Sequence, residues 1–214
     1  MKGFLKVFLI ILAVAIISLL LVGGICWYTG SSLYDDIKQQ ATVNDPKLDE
    51  ARAKSIVGYT LPVNYQLLKA IDINVLGFGL KSAMFQYVPN SQFLILAEPP
   101  KMLINIDETN FKSKLSPEEV EKALRQSGRS DVTIENFTVV NEGTIPTATR
   151  EIPYVEVKTT IKNHRTGNIV EFEGIISVMT FSNGKKNVIL LSGNKSGNFD
   201  IAAAKDFIKT IDIN

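Results

Sequence analysis

From Val7 to Tyr28 the chain carries no charged residue, and Ser18 is the most polar side chain of the run. About 22 residues at ~1.5 Å rise make roughly 33 Å of helix, enough to cross the hydrocarbon core of a bilayer. No later segment of the 214 residues approaches that apolar length. The run predicts a single transmembrane helix over residues 7–28, with Trp27 and Tyr28 as interfacial residues. Lys2 and Lys6 precede it, whereas Asp35 and Asp36 come before any lysine on the other side. The positive-inside bias places residues 1–6 in the cytoplasm and the residues after about 30 outside. The expected location is the cytoplasmic membrane, single-pass, with the C-terminal domain outside (periplasmic in a Gram-negative cell).

Other readings of this run fit less well. A cleaved signal peptide has a shorter apolar core and a small-x-small site. A lipoprotein signal needs a small residue before the cysteine, but Ile25 precedes Cys26. Gly3-Phe4 before an apolar helix faintly resembles a prepilin cleavage site, whose glutamate at the fifth position is replaced here by Phe8.

Charge narrows the partners. Without Lys2 and Lys6 the 23 basic residues become 21 against 22 acidic ones, a formal charge of −1. A nearly neutral body argues against nucleic acid, since phosphate binding needs a basic surface. Cys26 is the only cysteine, so the outer domain has no disulfide and must be held by its own core. Asn136-Phe137-Thr138 and Asn194-Lys195-Ser196 match the glycosylation pattern, a match that short sequences reach by chance.

Residues 29–57 read as a polar stalk and a short helix, and residues 58–214 as the outer domain. Asp45-Pro46 is an N-cap followed by proline at the first helical position. The helix over 46–57 would bury Leu48, Ala51, Ser55 and Ile56 and stop at Gly58. An extended region follows from Tyr59 to about Ile73, then strands near 80–88 and 92–98 joined by Pro89-Asn90-Ser91. Phe93-Leu94-Ile95-Leu96, apolar on both faces, predicts a central strand. Ser116, Pro117 and Glu119 predict a capped helix over 116–127, stapled by Leu115 and Val120 and ended by Gly128. Strands are expected near 132–141, 145–163, 169–182 and 187–193, with Asn183-Gly184 as a two-residue hairpin turn. A last helix over 199–211 would bury Phe199, Ala203, Phe207, Ile208 and Ile211 and turn Lys205 and Lys209 outward. The expected fold class is α+β: a transmembrane helix, then a mostly antiparallel sheet with helices packed on it.

Tyr59-x-Leu61-Pro62-x-x-Tyr65, then an apolar strand, a middle helix, a long meander and a C-terminal helix, resemble the α/β/α sandwich of the PsbP/Mog1-like group. The layout is also similar to that of uncharacterised bacterial membrane-anchored proteins. The resemblance spans roughly residues 58–212. It implies an accessory or binding protein rather than one particular chemistry, and transfers no functional residue.

No catalytic motif is recognisable, so the domain is expected to be non-enzymatic and to need no cofactor. His164, the only histidine, sits in a predicted loop. With Cys26 in the membrane this leaves no zinc or iron site. Asp72 and Asp107-Glu108 are the carboxylates a Ca²⁺ or Mg²⁺ ion would need, but they lack EF-hand spacing and read more simply as solvated loop charges. Glu171 and Glu173 share one strand face, the arrangement a glycoside hydrolase would use, although such a pair is more commonly the wet side of a sheet. Gly77-Phe78-Gly79 lacks the third glycine of a dinucleotide fingerprint and reads as a loop. Ser192 to Gly197 lacks the Gly-Lys-Ser order of a phosphate loop and reads as the connection into the last helix. Tyr59, Tyr65 and Phe78 either line a pocket or fill the core.

Residues 98–112 are less easily placed. Met102, Leu103, Ile104 and Ile106 lie in a loop between Pro99-Pro100 and Asp107-Glu108, so they either pack beneath it or contact a partner. They are the candidate contact residues. The reading is a membrane-tethered accessory domain acting through a protein partner of the cell envelope. A carrier or sensor of a small apolar ligand and an acidic-pair hydrolase are the alternatives.

Overall fold

The computed structural model describes residues 45–75, 78–98, 107–115, 132–163, 167–181 and 186–212. The predicted transmembrane run 7–28, the stalk to residue 44 and the predicted helix over 116–127 lie outside them. Among the described residues no helix is long and apolar enough to cross a membrane.

Helix α1 (Pro46–Ile56) starts where Asp45-Pro46 predicts, with the Asp45 carboxylate accepting the N–H groups of Lys47 and Leu48. Its buried face differs from the expected one. Asp49, Ala53 and Ile56 are buried, whereas Leu48, Ala51 and Ser55 are exposed. Asp49 turns inward because its carboxylate accepts from Lys69 Nζ at 3.1 Å and from the Ala70 N–H at 3.4 Å. Those partners come from 20 and 21 residues away. A buried carboxylate so paired avoids most of its desolvation cost.

Strand β1 (Gly58–Tyr59) follows α1 and pairs antiparallel with β9 (Ile211–Asp212). The main sheet holds seven strands: β2 (Tyr65–Val75), β3 (Phe78–Tyr87), β4 (Gln92–Glu98), β5 (Val132–Pro146), β6 (Glu151–Asn163), β7 (Ile169–Phe181) and β8 (Lys186–Lys195). Their order is β2-β3-β4-β8-β7-β6-β5, and every neighbouring pair is antiparallel. The expected mostly antiparallel sheet is present, and β4 is central as its apolar run requires. The β5–β6 turn falls at residues 147–150 rather than at 142–144. Gly143 does not turn; it lies in β5 opposite Tyr154, and a Cβ there would meet that ring at 3.0–3.1 Å. Phe78 and Gly79 belong to β3 and pair with Val75 and Asn74 rather than forming a loop. Similarly, β8 runs to Lys195, so only residues 196–200 connect it to the last helix.

Both edge strands are bulged, β2 between Leu67 and Lys69, and β5 at 135/138 and 139/141. Bulges twist an edge away from further pairing, which protects long exposed edges from aggregation.

Two short helices complete the fold: α2 (Phe111–Lys114) and α3 (Ile201–Lys209), the latter capped by Asp200, whose carboxylate accepts the Ala203 N–H. Helices α1 and α3 lie on one sheet face around Ala70, Phe85, Leu94, Leu96, Ile175, Met179 and Leu190. The opposite face buries Phe93, Ile95 and Phe172 in one cluster, and Phe111, Val155, Val157 and Val178 in another. A sheet apolar on both faces gives the two-sided burial that β4 shows along Gln92–Leu96. Fully burying a phenylalanine such as Phe85 or Phe207 contributes about 1.5–3 kcal/mol.

Candidate functional site

Met102, Leu103, Ile104 and Ile106 lie outside the described residues, as does His164. The residues directly after that loop are held firmly. Glu108 Oε1 accepts the Thr180 N–H and pairs with the Arg150 guanidinium at 2.7 Å, while Arg150 Nη2 donates to the Thr180 carbonyl at 2.8 Å. Phe111 follows, 1% exposed among Val155, Val157 and Val178. The loop therefore re-enters the domain through an ion pair and an aromatic plug.

The carboxylate candidates each have protein partners. Asp107 Oδ1 accepts from the Thr109 hydroxyl at 2.6 Å and from the backbone N–H groups of Thr109 and Asn110. These bonds, the hydroxyl's foremost, hold its carboxyl below the usual range. Asp72 pairs with Lys81 at 3.7 Å. No cluster of three or more His, Cys, Asp or Glu residues occurs among the described residues. Asp72 lies in β2, whereas Asp107-Glu108 lie in the turn before α2, and the three are each engaged by other residues.

Glu171 and Glu173 do share a strand face, and Glu173 is engaged by side chains from other parts of the chain. Glu173 Oε1 is 2.9 Å from Lys158 Nζ and accepts from Ser196 Oγ at 2.9 Å, and Oε2 accepts the Gly197 N–H. The lysine bond first, then the serine, hold its carboxyl below the usual range, and Lys158 is raised in return. A general acid needs the opposite shift. Glu171 stays exposed, while its backbone carbonyl accepts the Ser196 N–H at 2.9 Å. This pair of strand residues fastens the β8–α3 connection, whose Gly197 takes a left-handed φ of 80°.

Of the aromatic candidates, Tyr59 and Tyr65 pack into the core, and the Phe78 side chain lies outside the described ones. The Tyr59 ring meets Phe85 edge-on at 5.2 Å, and Tyr65 lies 5.1 Å from both Tyr87 and Phe207. Burial pushes the Tyr59 hydroxyl up to about 12 and raises Tyr65 further. The buried Tyr65 hydroxyl has no hydrogen-bond partner among the described residues. Lys205, expected outward, lies half-buried with its ammonium 4.4 Å from the Tyr154 ring centroid and donates to the Tyr154 hydroxyl. Burial lowers its affinity for the proton, but Tyr154 and Glu156 outweigh that and raise it.

Sequence reasoning missed one surface. At the end of the sheet where β2 begins, Leu61, Val63 and Val88 are 42%, 87% and 53% exposed. The Val88 N–H donates to the Asn64 carbonyl at 2.8 Å, joining the two loops that carry them. The sequence Thr60-Leu61-Pro62-Val63-Asn64 predicts an extended run, whereas the chain turns there, with the Tyr65 N–H donating to the Pro62 carbonyl at 3.1 Å.

No family model matches the chain, and no curated protein matches it. Among solved structures it is similar to the solution structure of cyanobacterial PsbP (CyanoP) from Synechocystis sp. PCC 6803, at a TM-score of 0.38 and 14% identity over 75% of this chain and 88% of that one. It is also similar to the crystal structure of LpqN, involved in cell envelope biogenesis of Mycobacterium tuberculosis, at a TM-score of 0.27 and 9% identity over 74% and 80%. At such scores neither likeness carries a functional argument.

Proposed function

We propose that this chain is a membrane-tethered accessory domain on the outer face of the cytoplasmic membrane, acting through a protein partner in the envelope. The observation that carries this reading is the fate of its polar candidates. Glu108, Glu173 and Asp107 all serve internal ion pairs or turns, so the side chains with catalytic chemistry are engaged in holding loops. The uncharged run 7–28 supplies the tether. Holding the domain beside the bilayer raises its effective concentration near other envelope proteins, so a modest interface suffices. Met102, Leu103, Ile104 and Ile106 stay the proposed contact residues. The close ring contacts of Tyr59, Tyr65, Phe85 and Phe207 speak against an apolar ligand pocket at those residues.

The test is crosslinking of the full-length protein in its native membranes, followed by affinity capture and mass spectrometry. A stoichiometric envelope partner is the expected result, and it should be lost on Ile104→Asp while the domain still folds. A monomer or a homo-oligomer alone would overturn the partner reading.

A further inference from the structure

The exposed tip of the sheet differs from the rest of the surface. Residues 60–64 and 88–91 together contain no charged side chain, in a chain that is 21% charged. Besides Leu61, Val63 and Val88, the tip end includes Ile169, 59% exposed at the start of β7. The common end follows from the register, since Phe93 near the start of β4 pairs with Gly193, and Phe172 with Lys195.

The tip rests on a hydrogen-bonded base. Beneath Val88, the Asn90 side chain donates to the Asn198 carbonyl and accepts the Gln92 N–H. Asn194, 4% exposed, donates to the carbonyls of Asn90 and Asn198. Apolar side chains held out in water above such a base gain nothing from the fold that exposes them.

The chain enters the domain from the same side. Asp49 is level with Ala70, whereas Ser55 is reached by Lys81 and Lys186 toward the opposite end of the sheet. Asp45, one turn before Asp49, is thus the part of α1 nearest the tip. Residues 29–44 extend to at most roughly 55 Å, ample for the domain to lie down on the bilayer.

We infer that Leu61, Val63 and Val88 rest in the headgroup boundary of the phospholipid bilayer, orienting the domain on the membrane; this depends on the tethering reading. Uncharged apolar side chains gain by leaving water for the acyl boundary. The tether supplies the local concentration, so three side chains suffice where a free domain would need more.

The test uses full-length protein in a Cys26→Ala background, labelled with the environment-sensitive fluorophore NBD at Val63→Cys or, as control, at Thr149→Cys. Thr149 is exposed in the β5–β6 turn at the far end of the sheet. The protein is reconstituted in phosphatidylethanolamine–phosphatidylglycerol vesicles with and without a doxyl-labelled lipid. The expected result is a blue-shifted emission at position 63 that loses most of its intensity to the doxyl lipid, with position 149 water-like and unquenched. A water-like label at position 63 on protein that floats with the vesicles would overturn the tip contact and leave the tether standing. A blue shift without lipid quenching would assign the tip to a second copy of the chain instead. Protein that does not float would remove the tether and the tip contact together.

Discussion

Gln92 and Asp200 bond each other twice across 108 residues of chain. The Gln92 Oε1 accepts the Asp200 N–H at 2.7 Å, and Nε2 donates to the Asp200 carbonyl at 3.0 Å. The same Nε2 donates to Ser192 Oγ, whose hydroxyl donates to the Phe93 carbonyl. Gln92 and Ser192 are both 0% exposed. One buried amide therefore sets where α3 begins over the sheet, and Asp200 then caps it.

Replacing Gln92 by leucine orphans the Asp200 N–H, whereas the Ser192 hydroxyl keeps the Phe93 carbonyl and the Asp200 carbonyl keeps the Ala204 N–H. Unmet buried polar groups cost about 1–3 kcal/mol. Urea unfolding of the soluble domain should show that loss as a lower midpoint with unchanged slope. An unaffected midpoint would mean that water satisfies that group.

Gly174 is a second fixed point. A Cβ added there would lie 2.6 Å from the Ser192 backbone oxygen, and backbone in a central ladder cannot step aside. Gly174→Ala should destabilise by about 1–3 kcal/mol, the cost of overpacking a core. The same change at Gly167, where nothing lies within 4 Å but φ is +69°, should cost less than at Gly174 and only through the backbone. Thermal unfolding of the two variants side by side ranks them.

The Glu173 ion pair predicts an acid response. Its carboxyl is lower in the folded than in the unfolded chain, so the unfolded state binds the extra proton as pH falls. Its contribution is fully present above the ordinary value of 4.5 and is lost as pH drops through the folded value. Glu173→Gln should be less stable than the parent at pH 7, and the gap should narrow in acid. Denaturation midpoints at the two ends of that window measure it; a constant gap would rule out the ion pair as the cause.

The exposed tip should be indifferent to charge as far as folding goes. Val63→Asp, at a position 87% exposed, should change stability by no more than about 0.5 kcal/mol. A large loss would show that Val63 packs in solution and is no tip at all.

Local signals were legible and distant pairings were not. Asp45-Pro46 marked the start of α1, and the doubly apolar Phe93–Leu96 run marked a central strand, because caps and burial patterns are short-range properties. The inward face of α1 was misread because Asp49 is stabilised by Lys69 and Ala70, which reach it only once β2 forms. The strand break expected at 142–144 is absent, because Gly143 continues β5 and makes room for the Tyr154 ring on the neighbouring strand. Lys205 followed helical periodicity outward until Tyr154 gave its ammonium an aromatic face. Glu171 and Glu173 were correctly placed on one face, yet Lys158 and Ser196, from two other parts of the chain, decide what Glu173 can do.

The most direct test of the central claim is the behaviour of the full-length protein in its own membranes. Membranes bearing a C-terminally tagged chain are extracted with alkaline carbonate, and intact outer surfaces are treated with protease. The account predicts that the protein stays with the bilayer and that the tagged domain is cut from outside. Release by carbonate, or a tag protected from external protease, would contradict it.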